Sequence, residues 1–137
     1  VDRVFVDTSV FLTAMGTPGP ATPACRLLLR AANEGRASLH TAAECVQEVA
    51  FHRMRMTERS TALGQVIAVR DLCLVHAMDD TVIDTALTLL ATTPARGRDA
   101  FIAATALLAG FDTIVTTDTR FVEVPGLRRV DPRDLAA

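Results

Sequence analysis

Residues 99–118 read DAFIAATALLAGFDTIVTTD. The segment FIAATALLAG is apolar nearly all round, the pattern of a helix buried on every side. Gly110 supplies a stop for that helix. The β-branched run DTIVTT, residues 112–117, then predicts a short strand. A buried helix feeding straight into a buried strand belongs to an α/β sheet with helices on its faces. An acid stands at each end of the unit, Asp99 at the mouth of the helix and Asp118 at the carboxyl end of the strand.

The same strand-then-acid arrangement opens the chain, where RVFV at 3–6 is followed by Asp7. TSVFLTAM, residues 8–15, predicts a short helix capped by Asp7, Thr8 or Ser9. GTPGPATP at 16–23 is a Gly/Pro loop, and Ala24 to Asn33 repeats apolar residues at helical spacing. ASLHT at 37–41 predicts a second strand. Helices are expected from Ala42 to about Met56 and from Glu58 to Cys73, with a third strand inside LCLVHAM at 72–78. Asp79-Asp80 cap a helix running to about Leu90, and ATTPARG is a loop. A last strand is expected within 121–130, interrupted by Pro125-Gly126. Short apolar strands alternating with helices argue for a parallel-type sheet covered on both faces, in one domain across residues 1–137.

Half of the 137 residues are hydrophobic and 22% are charged, a balance that folds rather than stays disordered. No apolar run approaches a membrane span, and VDRVFVD is too short and too acidic for a signal peptide, so a cytoplasmic location is expected. Three cysteines, Cys25, Cys45 and Cys73, form no CxxC pair and read as buried free thiols. The net charge of −2 is not that of a strongly basic nucleic-acid binder. Every basic residue is Arg, which excludes mechanisms that require a lysine, and with no Trp or Tyr any base stacking falls to Phe or Arg planes.

Four acids carry the chemical reading: Asp7, Glu48, Asp99 and Asp118. Carboxylates at strand carboxyl ends sit where open α/β sheets place ligands. Several converging on one point cannot all stay ionised without a cation between them, which points to Mg²⁺ or Mn²⁺ and metal-assisted phosphodiester hydrolysis. Each acid also has a plainer reading. Asp7 and Asp99 suit helix caps or first-turn acids, and Asp118 suits a turn. Glu44 lies four residues before Glu48 and is the alternative ligand. Glu48 is preferred because Val49, Ala50 and Phe51 draw its turn towards the core. Thr116 offers a hydroxyl beside Asp118. A receiver-type phosphotransfer site needs a lysine, and a haloacid-dehalogenase site needs a second Asp at position 9, where this chain has Ser9.

With VFVDTSVFL at the start, QEVAF in the middle, RDAFIAATALLAGFDTIVTTDTRF near the end and GLRRVDP after it, the chain resembles the PIN-domain ribonucleases, in particular the VapC toxins of toxin–antitoxin pairs. The resemblance runs the whole length in order, and implies a three-layer α/β/α fold around a mainly parallel sheet of four or five strands. It implies that Asp7, Glu48, Asp99 and Asp118 hold Mg²⁺ or Mn²⁺, with Thr8, Ser9 and Thr116 as neighbouring hydroxyls. The implied reaction is endonucleolytic cleavage of tRNA or rRNA by a metal-activated water. The implied partners are an antitoxin, a second copy in a homodimer, and operator DNA reached only through the antitoxin. Arg98 and Arg120 flank two of the acids, and Arg53 heads a cluster with Arg55 and Arg59, all suited to phosphate. Solvated arginines paired with Glu58 or Asp71 are the plainer reading. His52 lies one turn after Glu48, as a substrate contact or a surface residue. LLLRAA and the helical stretch 53–74 offer an apolar groove for an antitoxin helix. The competing reading is a non-catalytic PIN-like module that binds RNA or a protein.

Overall fold

A computed structural model describes residues 2–135. Strand β1 (Asp2–Phe5) leads to helices α1 (Thr8–Met15) and α2 (Thr22–Asn33), then to strand β2 (Ala37–Ala42). Helices α3 (Ala43–Met56) and α4 (Arg59–Leu72) connect to β3 (Cys73–His76). Helices α5 (Asp80–Thr92) and α6 (Gly97–Leu108) precede β4 (Thr113–Val115) and β5 (Arg128–Val130), and a 3₁₀ turn spans Pro132–Asp134.

Strands β1, β2 and β3 form one parallel sheet in that order, and β4 and β5 form a parallel pair. A parallel bridge between Val6 and Val115 joins the two pieces, with the Asp7 N–H donating to the Val115 carbonyl at 2.9 Å. The strand order across the molecule is therefore β3-β2-β1-β4-β5. The expected sheet is present as a three-stranded piece and a two-stranded piece rather than one uninterrupted ladder.

Period-two alternation sorts side chains to the two faces. Phe5 and Ile114 point into a core built with α5 and α6, among Ala86, Ile102, Ala103 and Leu127. Their neighbours Val6 and Val115 point into a second core with Val10, Phe11, Cys25, Val49 and Val69 from α1 to α4. These two cores make the three layers.

Several boundaries differ from the sequence reading. The final strand covers only Arg128–Val130, because Gly126 has φ +88° and Leu127 N–H turns back to the Val124 carbonyl. Helix α2 starts at Thr22, with Pro23 inside its first turn, where a missing N–H costs nothing. Cys73 begins β3 instead of ending α4. The stretch 53–74 is two helices and a strand start, broken at Thr57–Glu58. Gly110 stops α6 as expected: it has φ +88°, its N–H reaches the Leu107 carbonyl, and the Phe111 N–H reaches the Ala106 carbonyl.

Candidate active site

Two neighbouring strands decide where the site lies. From β1 the chain departs towards β2, and from β4 it departs towards β5 on the other side. The crevice between β1 and β4 is thus a topological switch point, the place where parallel α/β sheets accept ligands. Asp7 and Thr116 are close to the carboxyl ends of these two strands, and Asp118 lies two residues beyond Thr116.

Asp7, Thr8, Ser9, Leu12, Glu48, Arg96, Arg98, Asp99, Asp118 and Arg120 line one cleft of about 380 Å³ there. All four singled-out acids meet in it. Asp7 holds the N-cap position of α1 but its side chain caps nothing. Its Oδ2 instead accepts the Thr116 hydroxyl at 2.8 Å and the Ser9 hydroxyl at 3.1 Å. Burial pushes the Asp7 carboxyl above the ordinary carboxylate range. The two hydroxyls pull the other way, and the nearby Asp99 and Glu48 charges add to the rise.

Glu48 reaches the cleft from α3. Its Oε1 accepts the Thr8 hydroxyl at 3.1 Å, and its Oε2 is paired with Arg98 at 2.9 Å. Glu44 does not line the cleft. Both its carboxylate oxygens are buried without a hydrogen-bond partner, and burial raises its pKa. Val49 is fully buried as expected, but Phe51 is 65% exposed and does not draw the turn inward.

Asp99 sits in the first turn of α6, which begins two residues earlier than expected with Arg96 as its N-cap. It is not a cap. Asp118 serves its turn and the cleft together: Oδ1 accepts the Arg120 N–H at 2.9 Å while Oδ2 faces Arg96. Burial raises the Asp99 carboxyl, and with the Asp118 charge it outweighs the lowering by the Arg96 bond and by the Arg96 and Arg98 charges. At Asp118 burial also raises the pKa, but the Arg96 bond, the Arg120 N–H and both guanidinium charges outweigh it, leaving the carboxyl below its ordinary value.

Thr116 Oγ1 ties the site together, since it also accepts the Asp118 N–H at 3.0 Å and lies 3.0 Å from the Ser9 hydroxyl. Ser9 in turn accepts the Thr117 N–H. Residues 107 or more apart in sequence are thereby locked at the switch point.

The sequence reading missed Arg96. Its Nε and Nη2 reach Asp99 Oδ2 at 2.8 and 2.5 Å, and Nη2 reaches Asp118 Oδ2 at 2.7 Å. The available signal was an Arg three residues before an acid at a helix start, a spacing that brings the two side chains together. Arg98 and Arg120 do line the cleft, Arg120 at 3.5 Å from Asp118. Arg53 does not. It donates to Gln65 and lines, with His52 and Met56, an adjoining groove that shares Ser9 and Leu12 with the cleft. Arg55 stands over the Phe51 ring at 5.3 Å instead of pointing to the acids.

The donor set of the cleft is carboxylate and hydroxyl oxygen, without imidazole or thiolate. Such hard oxygen donors suit Mg²⁺ or Mn²⁺ rather than zinc or copper. Among the described residues, no three His, Cys, Asp or Glu side chains are grouped tightly enough to hold a metal ion as they stand. Arg96 spans Asp99 and Asp118, and Arg98 holds one oxygen of Glu48.

The PIN domain profile matches residues 4–127. A curated relative, Ribonuclease VapC7 of Mycobacterium tuberculosis, is 32% identical over 132 residues, spanning 94% of this chain and 91% of that protein. VapBC2 from Rickettsia felis, solved bound to a DNA fragment from its promoter, aligns with a TM-score of 0.72 at 12% identity, over 94% of this chain and 98% of that one. VapC20 of Mycobacterium tuberculosis, described as a sarcin-ricin loop cleaving toxin, aligns with a TM-score of 0.70 at 17% identity, over 86% and 92% of the two chains. At these identities the two solved structures speak for the fold.

Proposed function

This chain belongs to the PIN-domain family, and from that premise we propose that it is a metal-dependent endoribonuclease, the toxin of a toxin–antitoxin pair, acting on tRNA or rRNA in the cytoplasm. One observation carries the reading: four carboxylates from four separate segments meet in one cleft at the sheet's switch point, braced by Thr8, Ser9 and Thr116. Gathering carboxylates costs stability unless cations offset it, here Arg96, Arg98 and Arg120, and such a cluster lining a cleft supports a ligand-binding role.

Asp7, Glu48, Asp99 and Asp118 are the residues that would hold Mg²⁺ or Mn²⁺. When bound, such a cation supplies Lewis acidity, lowering the pKa of water and offsetting charge on phosphoryl oxygens. The chain's own residues do the rest. Thr116 and Ser9 fix the orientation of Asp7, and Thr8 fixes that of Glu48. Arg98 and Arg120, each more than half exposed at the cleft, would contact the RNA backbone, which their charge and exposure support. The adjoining groove with Arg53 and His52 extends the cleft along α1 and α3 and gives the flanking strand a path.

An antitoxin is the proposed protein partner. Exposed Leu27 on α2 and exposed Leu63 and Ile67 on α4 give these helices apolar surface of the kind an amphipathic helix covers. A homodimer, and operator DNA reached through the antitoxin, complete the proposed assembly. Among the described residues no helix is long and apolar enough to cross a membrane.

The test is cleavage of total tRNA and rRNA by purified protein with Mg²⁺, Mn²⁺ or EDTA. Asp99→Asn is expected to leave a folded protein with less than about one-hundredth of the wild-type rate. Undiminished cleavage in excess chelator overturns the proposal.

A further inference from the structure

Arg96 occupies a singular position. Among the described residues it is the one cationic side chain bonded to two of the four carboxylates, Asp99 Oδ2 through two nitrogens and Asp118 Oδ2 through one of the same pair. The Asp99 side chain is only 10% exposed, whereas Arg96 is 43% exposed. The cation therefore comes in from the solvent side and sits over the more deeply set carboxylate. Its own pKa is raised by the hydrogen bonds with Asp118 and Asp99, so it stays charged at any working pH.

We propose that Arg96 is a resident counter-ion of the acidic cleft: it competes with divalent cations for Asp99 and Asp118 and keeps the site closed until the cation displaces it. This deepens the ribonuclease reading and rests on it for the identity of the ligand, though not for the competition itself. The physical argument is that a guanidinium and a divalent ion both neutralise converging carboxylates, and both cannot hold the same Asp118 and Asp99 oxygens at bonding distance. The internal cation is tethered at the N-cap of α6 and is present at a fixed effective concentration. The metal must outcompete it, so the apparent metal affinity of the wild-type protein is lower than the acids alone would give. Arg98 does not play this part, because it pairs with Glu48 only and is 65% exposed.

The experiment is a Mn²⁺ titration of the full chain without RNA, followed by the electron paramagnetic resonance signal of free Mn²⁺. Wild type is compared with Arg96→Gln, Arg96→Lys and Arg36→Gln; Arg36 is a distant surface arginine paired with Glu34. Arg96→Gln is expected to bind Mn²⁺ on the order of tenfold more tightly, as loss of a partly exposed cation shared by two carboxylates implies. Arg96→Lys, which keeps the charge, is expected to fall nearer wild type, and Arg36→Gln to match it. Thermal melts of all four proteins check that each is folded. Equal Mn²⁺ affinity in wild type and Arg96→Gln overturns the inference, as does weaker binding in Arg96→Gln. Cleavage assays on the same preparations separate the two readings. Tighter binding in Arg96→Gln without cleavage by any protein would leave the counter-ion standing and sink the ribonuclease. Cleavage by wild type with unchanged affinity in Arg96→Gln would do the reverse.

Discussion

Each acid in the cleft has its own electrostatic circumstances. Asp7 is buried and pushed up in pKa by that burial, with two hydroxyls holding one oxygen. A folded-state pKa above the unfolded one means that its contribution to stability is fully present below the ordinary carboxylate value. That contribution is lost as pH rises through the raised folded value. In chelator at neutral pH, Asp7→Asn is therefore expected to raise stability by about 1 kcal/mol, and with Mg²⁺ present it is expected to lose cleavage. Urea denaturation at pH 7, repeated near pH 4, measures this, and the advantage of the variant should shrink at the lower pH. Glu44 follows the same sign for the same cause, burial, and has no hydrogen-bond partner at either oxygen. Glu44→Gln should stabilise the protein by about 1 kcal/mol at neutral pH and leave cleavage intact. Glu48→Gln should lose cleavage, since Glu48 is the member of the pair that lines the cleft. Loss of activity in Glu44→Gln with full activity in Glu48→Gln would reverse that assignment. Sequence alone left the two open because they are one helical turn apart; what separates them is the Thr8 hydroxyl and Arg98, which meet Glu48 from other segments.

At the scale of elements, the unit from α6 to β4 follows from its own residues. Its small apolar side chains permit close burial, and seven residues from Asp99 to Ala106 are buried. Gly110 then closes the helix in a left-handed conformation with two backbone bonds to Leu107 and Ala106. Open space surrounds its Cα, so Gly110→Ala tests the backbone conformation and not a clash. About 1 kcal/mol of destabilisation is expected, read as a lower urea midpoint with an unchanged m-value. The last strand was less legible. Residues 121–130 include Phe121, Val122, Val124, Leu127 and Val130, yet the chain bends at Gly126 and only Arg128–Val130 form β5. The start of α6 was likewise misplaced by two residues, because Arg96 caps it with backbone in extended geometry and no capping side chain to betray it.

For the whole molecule, three buried thiols test how tightly the layers close. Burial pushes Cys25 up to about 11 and both Cys45 and Cys73 up to about 12. A disulfide reagent at pH 8 should label none of them in the native protein and all three in guanidinium; fast labelling of any in the native state would show that its layer opens. Sequence by itself determined the class of fold, because short apolar strands alternating with helices leave few other ways to cover both faces. It also determined which four acids to watch, since an acid beside a buried segment is costly wherever it lands. Only the tertiary structure decided that β1 and β4 are neighbours, which brings Asp7 against Thr116 across 109 residues. It alone placed Arg96 between Asp99 and Asp118 and sent Arg53 to the adjoining groove. The physical reason is that periodicity reports which face a side chain takes, a local property. Which carboxylate meets which guanidinium depends on strand order and on the directions long, flexible side chains take once the layers have packed.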